Sequence, residues 1–435
     1  MGTVAERQVA HIWRRLGFGA RPSDISAGAA GAGGPQAVIN DLLTRPLTTP
    51  ADWNLTTGTD YLAQDKYIAQ QLGLMAWSAN PLQERMAWLL QGLVVVGIDG
   101  TVYYPEVTAH VARLRSGALG SYKQLLTDVT TMPGMLKYLT GYQNTRFHPN
   151  QNYARELMEL FALGRTHPTT DAANYTETDV QEIARALTGW QYNWSTGASF
   201  YSAYYHDTGA KTFLGSPRGN AGVAEVIGAV ATHPAWPYHV PQRVFRELVG
   251  FDPDAGTLDT LAAAFGPSGD LAALVAAVTA SPAFLSDAAI GARVKSPVEL
   301  VASSARVLGM SDLSPFQLPY QMRDGMGQQP FLPPNVSGWP TGGRWLHAGF
   351  LMTWCTIANA LVGSVRNVPG GIAQQLASAS PATAVDTAAR LMALPDLLPG
   401  TRTALTSFVG GAGWGLDRAC GALVLLLMSP DFLAC

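Results

Sequence analysis

Charge is scarce in this 435-residue chain: Asp, Glu, Lys and Arg make up only 14% of it, and 28 basic against 31 acidic residues leave a net charge of −3. Without a basic excess or a Lys/Arg run, nucleic acid and anionic membranes are not expected as partners. The three cysteines, Cys355, Cys420 and Cys435, lie too far apart for a disulfide framework or a metal knuckle. Long apolar runs are missing too. Those near Ala87–Ile98 and Ala422–Met428 are too short to span a bilayer, and no basic start followed by an apolar stretch marks an export signal, so a cytoplasmic protein is expected. No GxSxG, GxGxxG or HExxH is present, and the Gly28–Pro35 stretch lacks the GK[ST] ending of a phosphate loop. Alternating β-type segments are scarce as well.

What is present is helical. Ala, Leu, Gln, Glu and Arg recur at three-to-four spacing in a chain that is 47% hydrophobic. An apolar helix stopped by proline recurs at 125–136 (LLTDVTTMPGML), 274–285 (LVAAVTASPAFL) and 422–433 (ALVLLLMSPDFL), with a looser copy at 227–238. The residue before proline is pushed out of the α region, so each copy predicts a helix–corner–helix unit, with Ser281 and Ser429 capping the next helix. The Gly-, Ser- and Tyr-rich stretch 195–220 and the Pro/Gly-rich stretch 313–344 are expected as long structured loops. Together these predict an all-α fold: one large, bundle-like helical domain over residues 1–435 with long irregular loops, its last part, 370–435, loosened by a Pro/Ala/Ser stretch.

Charge concentrates between Asn144 and Trp190. A helix over 152–164 places Tyr153, Leu157, Leu160 and Phe161 on one side and Asn152, Arg155, Glu156 and Glu159 on the other. A second helix is announced by Thr176 as N-cap with Asp179 three residues on, and it sets Asp179, Glu182 and Arg185 opposite Val180, Ile183, Leu187 and Trp190. One reading is two surface helices with solvated charges. The sharper one is a cleft in which Glu156 and Glu159 act as paired carboxylates with Arg155 or Arg185 as counter-charge. His206–Asp207 is either an acid–base pair or a turn in which Asp207 holds backbone amides. On the sharper reading the catalytic residues are Glu156, Glu159, Arg185, His206 and Asp207. Asn152, Arg155, Glu182, Trp190, Lys211, Trp339 and Trp345 bind the substrate, with the tryptophans walling an apolar pocket.

These stretches also carry a resemblance. AHIWRRLGFGARPSD, NPLQERMAWLL, NQNYARELMELFALG, YTETDVQEIARALTGW, YYHDTGAKTFLG, VKSPVELVASSARVLG and GQQPFLPPNVSGWPTGGRW, in this order, resemble the bacterial family known as domain of unknown function 1800. The resemblance implies a mostly helical protein; other members often carry export signals and lie beside sulfatase-like partners. After the PLQERM segment that family typically reads Phe-Trp-His-x-His-Phe, whereas this chain reads LLQGLV over 89–94, with Gln91 and Leu93 in place of the histidines. If those histidines bind a metal, leucine cannot replace one, and glutamine is a poor substitute at a transition-metal site. No metal and no other cofactor are therefore expected. The function expected is a cofactor-independent enzyme of specialised metabolism, performing cyclisation, isomerisation or dehydration by acid–base chemistry on a small apolar or aromatic substrate. The alternatives are a binding or scaffold protein with a decayed metal site, or a metal oxidoreductase in which other residues replace the lost ligands. Oligomeric state stays open.

Overall fold

Proline sets where the helices of this protein turn. In the computed structural model, which describes residues 2–48, 62–411 and 413–435, the Tyr122–Thr130 helix ends before Pro133, where the Pro133–Tyr138 helix begins. The Val223–Ala231 helix gives way in the same manner to Trp236–Val249, and Leu416–Leu427 to Pro430–Leu433. Ser429 caps that last helix, accepting from the Phe432 amide at 3.3 Å. The Leu271–Ala280 copy differs: Ser281 accepts from the Ala283 amide, but turns follow it and no helix starts there.

The described residues fold mainly as helices, with two small two-stranded antiparallel sheets. The second sheet and one strand of the first lie in the 195–220 stretch expected as a structured loop, and the other strand, Trp190–Tyr192, just precedes it. Trp190–Tyr192 pairs with Ser199–Tyr201, and Lys211–Phe213 with Ser216–Gly219. The 313–344 stretch holds only short pieces, among them a π-helical turn at Gln321–Gly325 and a 3-10 turn at Gly342–Trp345.

The charged helix also departs from regular α geometry. It is α-helical over Asn152–Glu156 and π-helical over Leu157–Ala162, with the Leu163 amide bonded five residues back to Met158. The wider turn puts Leu157, Met158 and Phe161 into the core together, leaving Arg155, Glu156 and Glu159 on the outer side. Tyr122 ties this helix to a core cluster with Trp236 and Phe265, its hydroxyl donating to the Phe161 carbonyl at 2.6 Å. The following helix, Glu177–Ala186, begins with the expected capping box of Thr176 and Asp179.

Two helices are buried nearly all round, and both bring charge inside. Pro81–Gln91 carries Glu84 and Arg85 within the core. Pro297–Val307 is buried along its whole length, and Ser296 and Glu299 close its N-terminus as a capping box. At the other end of the chain, Arg293 and Cys435 exchange backbone hydrogen bonds, and the Lys295 amide donates to Leu433. The Ala348–Val365 helix, which the sequence reading passes over, is the one helix among the described residues long and apolar enough to cross a membrane. Its Trp354 is buried and donates to the Leu427 carbonyl at 3.0 Å.

Candidate functional site

The residues singled out in the sequence fall into three places. The first centres on Arg185, which donates to Glu182 at 2.8 Å and, through Nε and Nη2, to both carboxylate oxygens of Asp207 at 2.8 and 3.2 Å. These bonds from Arg185 hold the Asp207 carboxyl below its ordinary range. Asp207 also accepts from the Gly209 amide, the turn geometry anticipated for it. Lys211 donates to the Asp207 carbonyl, and burial lowers its pKa. Glu182 accepts from the Thr212 amide and Asp179 from the Leu214 amide, which pins the second hairpin onto the helix. His206 is buried with both ring nitrogens engaged: Nδ1 lies 2.9 Å from the Thr188 carbonyl and Nε2 2.9 Å from Asn220 Oδ1. The polar groups of this cluster bond one another, the backbone beside them or the hairpin they anchor.

The second place is the outer side of the charged helix. Arg155 is paired across the two helices with Glu177, at 2.6 Å, and Glu159 with Arg165, at 3.1 Å, within reach of the Tyr175 hydroxyl. Glu156 has no hydrogen-bond or ion-pair partner among the described residues; burial, then the neighbouring Glu159, raises its pKa. Asn152 is exposed and donates to Thr140. The ion pairs and hydrogen bonds of the described residues do not join Glu156 or Glu159 to Arg185, His206 or Asp207. Trp190, expected on the apolar stripe of the second helix, lies beyond that helix in the first hairpin, packed against Tyr201 and lining a small pocket with Tyr153.

The third place is a cavity of about 200 Å³ into which Trp339 and Trp345 face, with Trp88 completing the aromatic wall. Trp88 and Trp339 stack, their ring centres 4.8 Å apart at 24°. Its polar side comes from residues the sequence reading did not select: Arg85, Arg243, Arg246, Arg293, Glu247 and Glu299. Glu299 is 2% exposed and lies between Arg85 and Arg293, with the Ser296 amide as a third donor. Burial alone would raise its pKa, but Arg293 and Arg85 outweigh it and hold the carboxyl well below the ordinary range. Glu247 is held more loosely, 3.5 Å from Arg293 and with its side chain 30% exposed. Arg246 is drawn to Asp252 at 2.6 Å. Arg243 donates only to the Gly92 carbonyl, at 3.2 Å, and among the described residues no carboxylate pairs with it.

Gly338 makes this wall possible. Its φ of +80° lies in the left-handed region, and a Cβ there would stand 2.8 Å from the Gly92 carbonyl oxygen, the atom that Arg243 binds. Gly338→Ala is expected to cost more than about 1 kcal/mol through backbone strain and the clash. Thermal denaturation beside the wild type checks this; an unchanged midpoint would show that the loop reseats without penalty.

Gln91 and Leu93, the positions that carry the metal question, border this region. Leu93 lines the cavity, while Gln91 is buried and accepts from the Gln71 amide at 2.8 Å. A leucine and an amide already bonded elsewhere are not a metal donor set. Among the described residues no three His, Cys, Asp or Glu side chains converge as ligands.

The family described as protein of unknown function (DUF1800) matches residues 11–434 of the chain. No curated protein and no solved structure matches it. Three stretches that carry the family likeness supply walls of the cavity: NPLQERMAWLL with Arg85 and Trp88, VKSPVEL with Ser296 and Glu299, and NVSGWPTGGRW with Trp339 and Trp345.

Proposed function

The chain belongs to this DUF1800 family, and from that premise we propose that it is a cytoplasmic, cofactor-independent enzyme of specialised metabolism, doing acid–base chemistry on a small aromatic molecule in the arginine–tryptophan cavity. One observation carries the reading. Trp339 and Trp345, selected from the sequence as pocket walls, line one partly open cavity with two carboxylates and four arginines. Apolar walls with a few convergent polar groups are the usual build of a small-molecule site. The two carboxylates have different environments, and that separates their roles. Glu299 is locked as an ion-paired carboxylate and positions Arg85 and Arg293. Glu247, whose nearest cation stands 3.5 Å away, is the proton acceptor. Negative charge that develops on the substrate as Glu247 removes a proton is stabilised by the neighbouring guanidinium groups. Cyclisation, isomerisation and dehydration all draw on this pairing of a base with a cationic pocket.

The charged helix pair is left with the task of holding the second hairpin, and Glu156, the one carboxyl there with a raised pKa and no partner, is the alternative acid. A binding protein without turnover is the second reading, favoured by the double lock on Glu299. Deuterium exchange separates these readings. The wild type, incubated in D₂O with a panel of small aromatic compounds bearing a proton next to a carbonyl, is expected to introduce deuterium detectable by NMR. Glu247→Gln is expected to abolish that exchange with its melting temperature nearly unchanged. Exchange that survives Glu247→Gln but is lost in Glu156→Gln would move the chemistry to the charged helix. Binding without any exchange would favour the second reading.

A further inference from the structure

We infer that the cavity takes an aromatic anion, a single-ring or small bicyclic carboxylate, and that Arg243 is the residue that holds its charged end. The inference rests on the cavity being the site proposed above. The first argument is charge. Four arginines and two glutamates line the space, so the cations exceed the anions by two. Internal pairing removes most of them. Arg85 and Arg293 share Glu299, and Arg246 is taken by Asp252. Arg243 remains, bonded through one nitrogen to a backbone carbonyl; among the described residues no carboxylate is in ion-pair contact with it, and Tyr122 and Glu247 act on it only from farther off. A guanidinium presents five N–H donors in a flat fork, and withdrawing it from water without an anion is costly. Burial indeed lowers the pKa of Arg243. A ligand carboxylate would restore the missing partner with two parallel hydrogen bonds.

The second argument is size and surface. An apolar cavity of about 150 Å³ accepts a benzene ring, and this one, at about 200 Å³, leaves room for one ring and a small substituent. Its walls are the stacked Trp88–Trp339 pair and the buried Trp345, surfaces that favour a flat ring over an aliphatic chain. The indole nitrogen of Trp339 is buried without an acceptor, so the aromatic wall also holds an unused donor. Aromatic faces on one side and an unpaired guanidinium on the other fit an aryl carboxylate better than a neutral aromatic or an aliphatic acid.

Calorimetric titration of the full chain with benzoate and with its neutral isostere benzamide tests this. Benzoate is expected to bind at least about tenfold more tightly than benzamide, the margin of a charge-assisted bidentate contact. Arg243→Gln is expected to erase that margin by weakening benzoate alone, and Arg243→Lys to keep part of it, since the charge stays but the fork is lost. The lysine variant also serves if the glutamine variant folds poorly by circular dichroism. Benzamide binding as tightly as benzoate, or a margin that survives in both variants, would overturn the anion inference while leaving an aromatic-binding cavity intact. Binding of neither probe to the folded wild type would overturn the inference and remove support from the proposed site as well.

Discussion

Glu299→Gln is expected to destabilise the protein by about 3–5 kcal/mol, because it strands the buried Arg85 and leaves Arg293 only the more distant Glu247, at 3.5 Å. Arg85 and Arg293 both pair with this one side chain, and all three lie inside the protein. Glutamine keeps the shape and one acceptor oxygen, so the loss measures the missing charge. The same residue sets an acid limb in stability. Its folded pKa is depressed below the ordinary carboxylate value, so the folded state binds fewer protons than the unfolded chain between the two values. Its contribution is therefore complete above the unfolded value, about 4.3, and is lost as pH falls through the folded one. Denaturant unfolding of the two proteins at several pH values checks both points. The gap is expected to be widest at neutral pH and to narrow below about pH 4; a gap that widens on acidification would contradict the assignment.

The second large effect is expected at the buried pair of Glu84 and Arg115. Arg115 donates through Nε to both Glu84 oxygens at 3.0 and 2.9 Å, and both side chains are about 5% exposed. Glu84→Gln should cost about 3–5 kcal/mol by stranding the arginine, whereas replacing both partners with apolar residues (Glu84→Leu with Arg115→Met) should cost far less, because buried ion pairs offset little more than their own desolvation. Arg115 also donates to the Thr48 carbonyl and hydroxyl, so the double variant gives up those contacts too. Unfolding free energies of Glu84→Leu, Arg115→Met and the double variant check the cycle. Additive losses would mean that the two groups do not act as a pair.

The fold is legible in the sequence wherever a local rule decides it. Proline stops three of the four repeated helices and starts the next, and the Thr176–Asp179 box begins its helix where expected. Ser281 departs from the pattern although Ala283, Phe284 and Leu285 follow its proline much as Asp431, Phe432 and Leu433 follow that of Ser429. There the chain breaks into turns instead. The hairpins within 190–219 are missed because strands of three and four residues are too short to show an alternating pattern.

The cavity is legible only in part. Trp339 and Trp345 stand out as aromatics in a Pro/Gly-rich loop. Arg85, Arg243 and the Arg293–Glu299 pair do not, since they sit on three separate segments and only the tertiary fold unites them. One signal was available: charged residues inside otherwise apolar helices need buried partners, and Arg85 in PLQERMAWLL and Glu299 in SPVELVA are such cases. The charged helix pair attracts attention for the opposite reason. Its charges are crowded in sequence, yet most of them pair with neighbours on the outer side or with the hairpin they hold.

A crystal structure of the protein soaked with benzoate tests the central claim most directly. The account predicts density for the ring against Trp339, with the carboxylate facing the guanidinium of Arg243. Benzoate seated instead beside Glu156 and Glu159, or a cavity left without it at a concentration that saturates binding in solution, would contradict the account.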